Sequence, residues 1–224
     1  MIRTALATIA LAFGLIHAAW GADVPPTGLD LVCPLELHER ARALEDARVE
    51  KTLTENKFRA QAKVFAMVEQ LWAAKSIEQE TYLDYERRRD RTKVQIARWA
   101  VQIEQDERAL EQLALACGDI QGDDPADVAD RVARLQAEVR RLDCELLAKD
   151  AEIADIDRTF DERVLAATSI LVERNIKSRH DLVLDEYSLS QSKARSKSYR
   201  RRAKACRKQL REASATEKNG ENDA

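Results

Sequence analysis

The 224-residue chain is 34 % charged and only 5 % aromatic, with 6 Gly and 4 Pro. This Ala/Glu/Lys/Leu/Arg-rich profile fits long helices meeting along thin apolar seams and argues against a globular α/β enzyme. With 37 basic and 40 acidic residues the formal charge is −3, so overall charge implies no general affinity for polyanions.

The first segment reads as a secretory signal over 1–21. Arg3 is the basic start, Thr4 to Ala19 the apolar stretch, and Ala19-Trp20-Gly21 places small residues at the −3 and −1 positions, so cleavage after Gly21 is expected. Residues 22–32, with Pro25-Pro26 and Gly28, read as a linker. Export implies a periplasmic or secreted protein and makes an even cysteine count meaningful, because disulfides persist in oxidising compartments.

Helical hairpin 1 is expected over 33–117. Cys33-Pro34 opens the first helix, with Pro where its missing N–H costs nothing. Val49, Leu53, Ala60, Val64, Met67 and Leu71 mark its apolar stripe. The helix breaks near Ala74-Lys75-Ser76, and Ser76 with Gln79 reads as a capping box for the second helix. Ile96, Trp99, Ile103, Leu110, Leu113 and Cys117 form the second stripe, interrupted by Asp106. Gly118 supplies a positive-φ stop.

A loop spans 118–125, and Asp124-Pro125 restarts the chain as helical hairpin 2 over 126–214. The third helix carries the cleanest heptad, including Val128, Val132, Leu135, Leu142, Ile156 and Phe160. It breaks near Asn175-Ile176-Lys177-Ser178, where Ser178 caps the fourth helix with Asp181 at the third position. The fourth helix has Leu182, Leu189, Tyr199, Ala203, Cys206 and Leu210 on one stripe. The polar end, 215–224, is expected to be disordered.

Four cysteines allow three pairings. Cys33 and Cys117 lie equally far from Lys75, and Cys144 and Cys206 nearly equally far from Ile176. Two hairpins tied by Cys33–Cys117 and Cys144–Cys206 follow. The pairing Cys33–Cys206 with Cys117–Cys144 would make one long hairpin, but its two bonds demand different registers. The fold class is therefore all-α: two tandem antiparallel coiled-coil hairpins, each tied by one disulfide. Cys144 falls off the main stripe, on the face of Ala137 and Ala151, so the third helix either packs on two sides or slips in register.

From Lys193 to Arg211 there are ten Lys or Arg and no acid. In the register set by Cys144–Cys206, Asp143 faces Arg207, Asp150 faces Arg200, Asp155 faces Arg195 and Asp157 faces Lys193. On this reading the basic run is answered within the hairpin. No Gly-rich phosphate loop, CxxC or HExxH occurs, and His38 and His180 lie in different helices. No enzyme, cofactor or metal site is expected, and the cysteines read as structural.

The two breaks resemble one another. Leu71, Ser76, Glu80 and Leu83-Asp84-Tyr85 recur as Leu171, Ser178, Asp181 and Leu184-Asp185-Glu186-Tyr187, as a duplicated hairpin would give. Each copy resembles the hairpin tip of periplasmic adaptor (membrane fusion) proteins of efflux pumps and type I secretion. Leu171 and Ser178 keep the Leu-to-Ser spacing of that family's channel-docking motif. Ala167 stands at the motif's Arg position, Glu69 at the first copy's Leu position, and no β-rich stretch for lipoyl or barrel domains is present.

The expected function is that of a non-enzymatic structural or adaptor component of an envelope assembly. It would act through its tips, with Ser76, Leu171 and Ser178 as partner-binding residues. The expected partner is a protein, of the kind of an envelope channel or secretion component, or a second copy of the chain. Neither a small-molecule substrate nor nucleic acid is expected. Two other readings remain: a holdase chaperone clamping unfolded clients, and a binder of anionic membranes or polyanions through Lys193–Arg211.

Overall fold

A computed structural model describes residues 29–118 and 124–222, so the expected signal segment, most of the linker and the centre of the 118–125 loop lie outside the described residues. Four helices follow in order: α1 (Leu29–Ala73), α2 (Gln79–Ala116), α3 (Pro125–Glu173) and α4 (Arg179–Asn222). Among the described residues there is no strand. The chain divides after Leu35 into two units, and the packing below belongs to the second.

The disulfide pairing is the one the hairpin symmetry predicts. Cys144 and Cys206 are bonded with their Cα atoms 5.5 Å apart. Cys33 and Cys117 are also disulfide-bonded and no described cysteine is free, so the second bond joins these two. Two such bonds indicate an oxidising, extracytoplasmic environment. Among the described residues no helix is long and apolar enough to cross a membrane.

Several stops fall where the sequence puts them. Gly118 takes φ +71° just past α2, and Asp124 accepts a hydrogen bond from the Ala126 N–H at 3.0 Å before Pro125 starts α3. Two boundaries differ. α1 begins at Leu29, so Pro34 lies inside it and removes one backbone bond rather than opening the helix. α4 continues through the polar end to Asn222, a stretch that includes the good helix formers Ala, Glu and Lys.

α2 and α3 pack antiparallel through a ladder with a seven-residue step. Arg91 binds Asp157 at 2.8 Å, Arg98 binds Asp150 at 2.7 Å, and Gln105 donates to Asp143. This corrects the expected charge register of hairpin 2. Asp143, Asp150 and Asp157 face α2, not α4, because α3 is sandwiched and α2 offers donors at matching heptad positions. Of the four acids, Asp155 alone turns to the basic run, and it meets Arg200 and Ser196 rather than Arg195. The off-stripe position of Cys144 is thereby explained. One flank of α3, with Ile156, Phe160 and Arg163 around Leu83, serves α2; the other, with Cys144, Ala151 and Asp155, serves α4.

The α4 seam is small and polar, with Leu189, Ser192, Ser196 and Ala203 buried at steps of three, four and seven residues. The Ser192 hydroxyl donates to the Leu189 carbonyl and the Ser196 hydroxyl to Asp155, which satisfies both buried oxygens.

The α1 stripe is also corrected. Val49, Leu53, Met67 and Leu71, expected in the seam, are exposed, as is Ala60, while Val64 is half-buried. The buried positions are Leu44, Ala47, Phe65 and Val68, with Lys51, Thr54, Phe58 and Gln61 half-buried between them. Aromatic contacts select this face: Phe65 meets Tyr82 of α2 at 5.8 Å between ring centroids, and Arg89 lies 4.1 Å above the Phe65 ring. An Arg48–Glu107 ion pair at 2.9 Å continues the antiparallel contact.

Candidate functional site

Both reversals are built alike. After α1 the Ser76 N–H bonds the Leu71 carbonyl at 2.8 Å and the Lys75 N–H the Trp72 carbonyl at 2.9 Å, with Lys75 at φ 56°. After α3 the Ile176 N–H bonds the Leu171 carbonyl at 2.8 Å and the Asn175 N–H the Val172 carbonyl at 3.0 Å, with Asn175 at φ 58°. Each is a Schellman stop whose left-handed residue is not glycine. The structural repeat therefore pairs Leu71 with Leu171 and Lys75 with Asn175, and places Ser76 opposite Ile176 rather than Ser178.

The starts of the following helices differ. Ser178 forms a full capping box: its hydroxyl accepts from the Asp181 N–H at 3.2 Å, and the Asp181 carboxylate accepts from the Ser178 hydroxyl at 2.7 Å and N–H at 3.0 Å. Those bonds hold the Asp181 carboxyl below the usual carboxylate range, the Ser178 hydroxyl first among the causes. Ser76 does not cap α2, contrary to expectation. It closes the preceding Schellman turn, and Glu78 occupies the N-cap without a side-chain bond.

The antiparallel α2–α3 contact brings the two tips to one end. Lys177 Nζ lies 2.7 Å from Glu80 Oε2 and 3.4 Å from the Thr168 hydroxyl, while Arg163 pairs with Glu86 about two turns inward along α2. The hydrogen bond to Glu80 raises the Lys177 ammonium above its ordinary range despite the opposing effect of burial. On the first tip Trp72 stacks on Tyr82 at 5.2 Å, which fixes the last turn of α1.

This end carries large apolar side chains that stand exposed among the described residues. Ile176 is 67 % exposed, Tyr187 63 % and Val183 58 %, with Leu184 beside them. Val183, Leu184 and Tyr187 share the outer face of the first turns of α4 through their three- and four-residue spacing. Exposed Leu53, Ala60, Met67 and Leu71 continue an apolar line along α1 toward the tip.

Of the three expected partner-binding residues, Leu171 is half-buried and gives its carbonyl to the turn. Ser76 and Ser178 are exposed, but Ser178 is committed to its cap. The sequence reading missed Ile176, Val183 and Tyr187. The signal for the latter two was available, since they fall off the α4 stripe that Leu182 and Leu189 define. His38 and His180 are exposed on α1 and α4. Among the described residues no three His, Cys, Asp or Glu side chains gather as metal ligands.

Against protein-family models, curated proteins and solved structures, the chain matches none.

Proposed function

We propose that this is an exported, non-enzymatic coiled-coil protein acting as a structural adaptor in a cell-envelope assembly, with its paired tips as the docking end. One observation carries the reading: two reversals held side by side by Lys177–Glu80 present Ile176, Val183, Leu184 and Tyr187 to solvent. Contiguous exposed apolar groups on an otherwise charged helical surface mark an interaction surface. The heptad-like line of Leu53, Ala60, Met67 and Leu71 on α1 is half of a coiled-coil seam, so the partner it fits is itself an apolar-faced helix. The resemblance of Leu171 and Ser178 to the adaptor tip motif, and the signal-like segment 1–21, support placement in the periplasm with a channel or secretion component as partner.

The test uses the full disulfide-bonded chain with a photo-crosslinking residue at position 67 or 187, expressed with its export signal. The expected result is one adduct of defined mass from either position, lost in the variant Ile176→Glu/Val183→Glu/Tyr187→Glu while helicity is unchanged. Retained crosslinking in that variant, or a smear of many unfolded clients with suppressed aggregation, would overturn the reading, the latter in favour of a holdase.

A further inference from the structure

We propose that the groove between α3 and α4 binds an extended anionic polysaccharide. The inference stands apart from the docking end, because it rests on the outer flank of α4 and on the acids that α3 does not direct there.

Lys193, Lys197, Arg200, Lys204, Arg207 and Arg211 follow one another at alternating four- and three-residue steps. On a helix of 3.6 residues per turn that spacing confines them to one stripe, which Arg201 and Lys208 widen by one position. The stripe is about 27 Å long, with a cation about every 5 Å. It borders the α3–α4 seam. Arg158 reaches across from α3 to line one opening together with Lys193, Ser196, Lys197, Arg200 and Lys204, and no acid lines that opening.

The run was expected to be neutralised from α3, and the structure removes most of that neutralisation. Asp143, Asp150 and Asp157 are engaged with α2. Within the stripe, Arg200 has Asp155 at 2.7 Å, Lys193 has Glu162 only at 3.8 Å, and Lys208 pairs along its own helix with Glu212. Among the described residues Lys197, Arg201, Lys204, Arg207 and Arg211 have no acidic partner within 4.0 Å. A protein of formal charge −3 therefore carries a local line of positive charge in which five of eight cations are unanswered among the described residues.

The form of the line selects the ligand. A bilayer would need a broad cationic plane, but exposed Glu152 stands on the α3 side of the groove and Glu162 at its edge. A thread following the α4 edge of the groove meets cations at each helical turn, with Glu152 and Asp155 on the facing α3 wall. Nucleic acid would gain from exposed aromatic platforms for its bases, yet Tyr199, the aromatic within the run, is turned half-buried toward the seam. What the stripe offers is regularly spaced charge, with guanidinium forks that suit carboxylate and sulfate in two-point contact. The disulfides indicate an oxidising, extracytoplasmic environment, away from the nucleic acid of the cell interior.

The experiment measures binding of the full oxidised chain to heparin and to polygalacturonate, with single-stranded DNA and vesicles containing anionic lipid as parallel probes. Retention by both polysaccharides at about 0.15 M salt, weakening as salt rises, is the expected result. Two variants with the same change in net charge separate a site from a general field. Lys197→Glu/Lys204→Glu, in the stripe, should weaken binding by about tenfold or more, whereas Arg195→Glu/Arg202→Glu, on the opposite flank of α4, should change it by less than about threefold. Equal losses in the two variants, absence of binding to both polysaccharides, or tighter binding to DNA or vesicles would each overturn the proposal.

Discussion

Lys177 and Glu80, 97 residues apart in the chain, are joined at 2.7 Å, so the second reversal is pinned to the first turn of α2. The contact adds a direct tie between two reversals that the α2–α3 packing already brings to one end. The pairing depends on the antiparallel ladder below it, since Arg163–Glu86, Arg91–Asp157 and Arg98–Asp150 set the height at which the tips meet.

The Lys177–Glu80 pair is partly exposed, so its coupling in a double-mutant cycle should be modest, about 0.5 kcal/mol. Its sign with pH follows from the Lys177 shift. The folded-state value is raised above the unfolded one, near 10.4. The contribution is therefore fully present below that pH and fades as pH climbs through the folded value. Lys177→Ala should speed amide exchange at both tips, near Ser76 and near Ile176. An effect confined to the second tip would show that the pair does not join them.

The two tip serines should behave differently on truncation. Ser178→Ala removes a capping box and should cost about 1 kcal/mol of stability in denaturant unfolding, with the Asp181 carboxyl returning toward its ordinary range in a carbon-detected titration. Ser76→Ala removes only a long contact to the Ala74 carbonyl, 3.5 Å away, and should change stability by less than about 0.3 kcal/mol. Similar losses at both positions would mean that Ser76 caps α2 after all.

The α3–α4 seam should lean on its disulfide. With Ser192, Ser196 and Ala203 buried in place of large apolar residues, little hydrophobic area holds α4. Closing a loop of 62 residues stabilises by about 4 kcal/mol in the chain-entropy account. Cys144→Ala/Cys206→Ala should therefore lower the unfolding midpoint sharply and make the amides of α4 exchange faster than those of α2. A variant in which α4 keeps its protection would show that Asp155, Arg200 and Ser196 suffice.

Helices, caps at Asp124 and Ser178, the stop at Gly118 and the cysteine pairing were legible because each is a local rule or a symmetry of spacing. What was not legible is which face each helix uses. On α1 the exposed set of Val49, Leu53, Met67 and Leu71 is more apolar than the buried set interrupted by Lys51, Thr54 and Gln61, so periodicity pointed outward. On α3 the acids Asp143, Asp150 and Asp157 could answer either neighbour. Arg91 and Arg98 on α2 match them at heptad steps, a signal visible in the sequence only once α2 and α3 are set side by side. Ser192 and Ser196 went unread as seam positions because hydroxyls carry no apolar mark, although their spacing from Leu189 fits. The tip surface was located by its breaks, while its exposed groups at Ile176, Val183 and Tyr187 needed the packing of α4 to identify them.

Asp106 is an ionisable group placed against its own interest in the α2 seam. Burial pushes its carboxyl above the usual range, only partly offset by the Gln102 amide at 3.1 Å and the charge of Arg40. Since the folded state holds the proton to higher pH than the unfolded chain does, Asp106 detracts from stability once the pH exceeds the unfolded value near 3.9. The penalty is small, because the side chain is only half-buried and water screens it. Asp106→Asn keeps the size and an amide partner for Gln102 while removing the charge. It should raise the denaturation midpoint at pH 7 and leave it unchanged at pH 3, where the native carboxyl is protonated in both states. Asp106→Leu should go further at pH 7 by completing the apolar line between Ile103 and Leu110. A lower midpoint for the Asn variant at pH 7 would mean that the ionised carboxylate earns its place through Arg40, and that α1 is held there by charge rather than by packing.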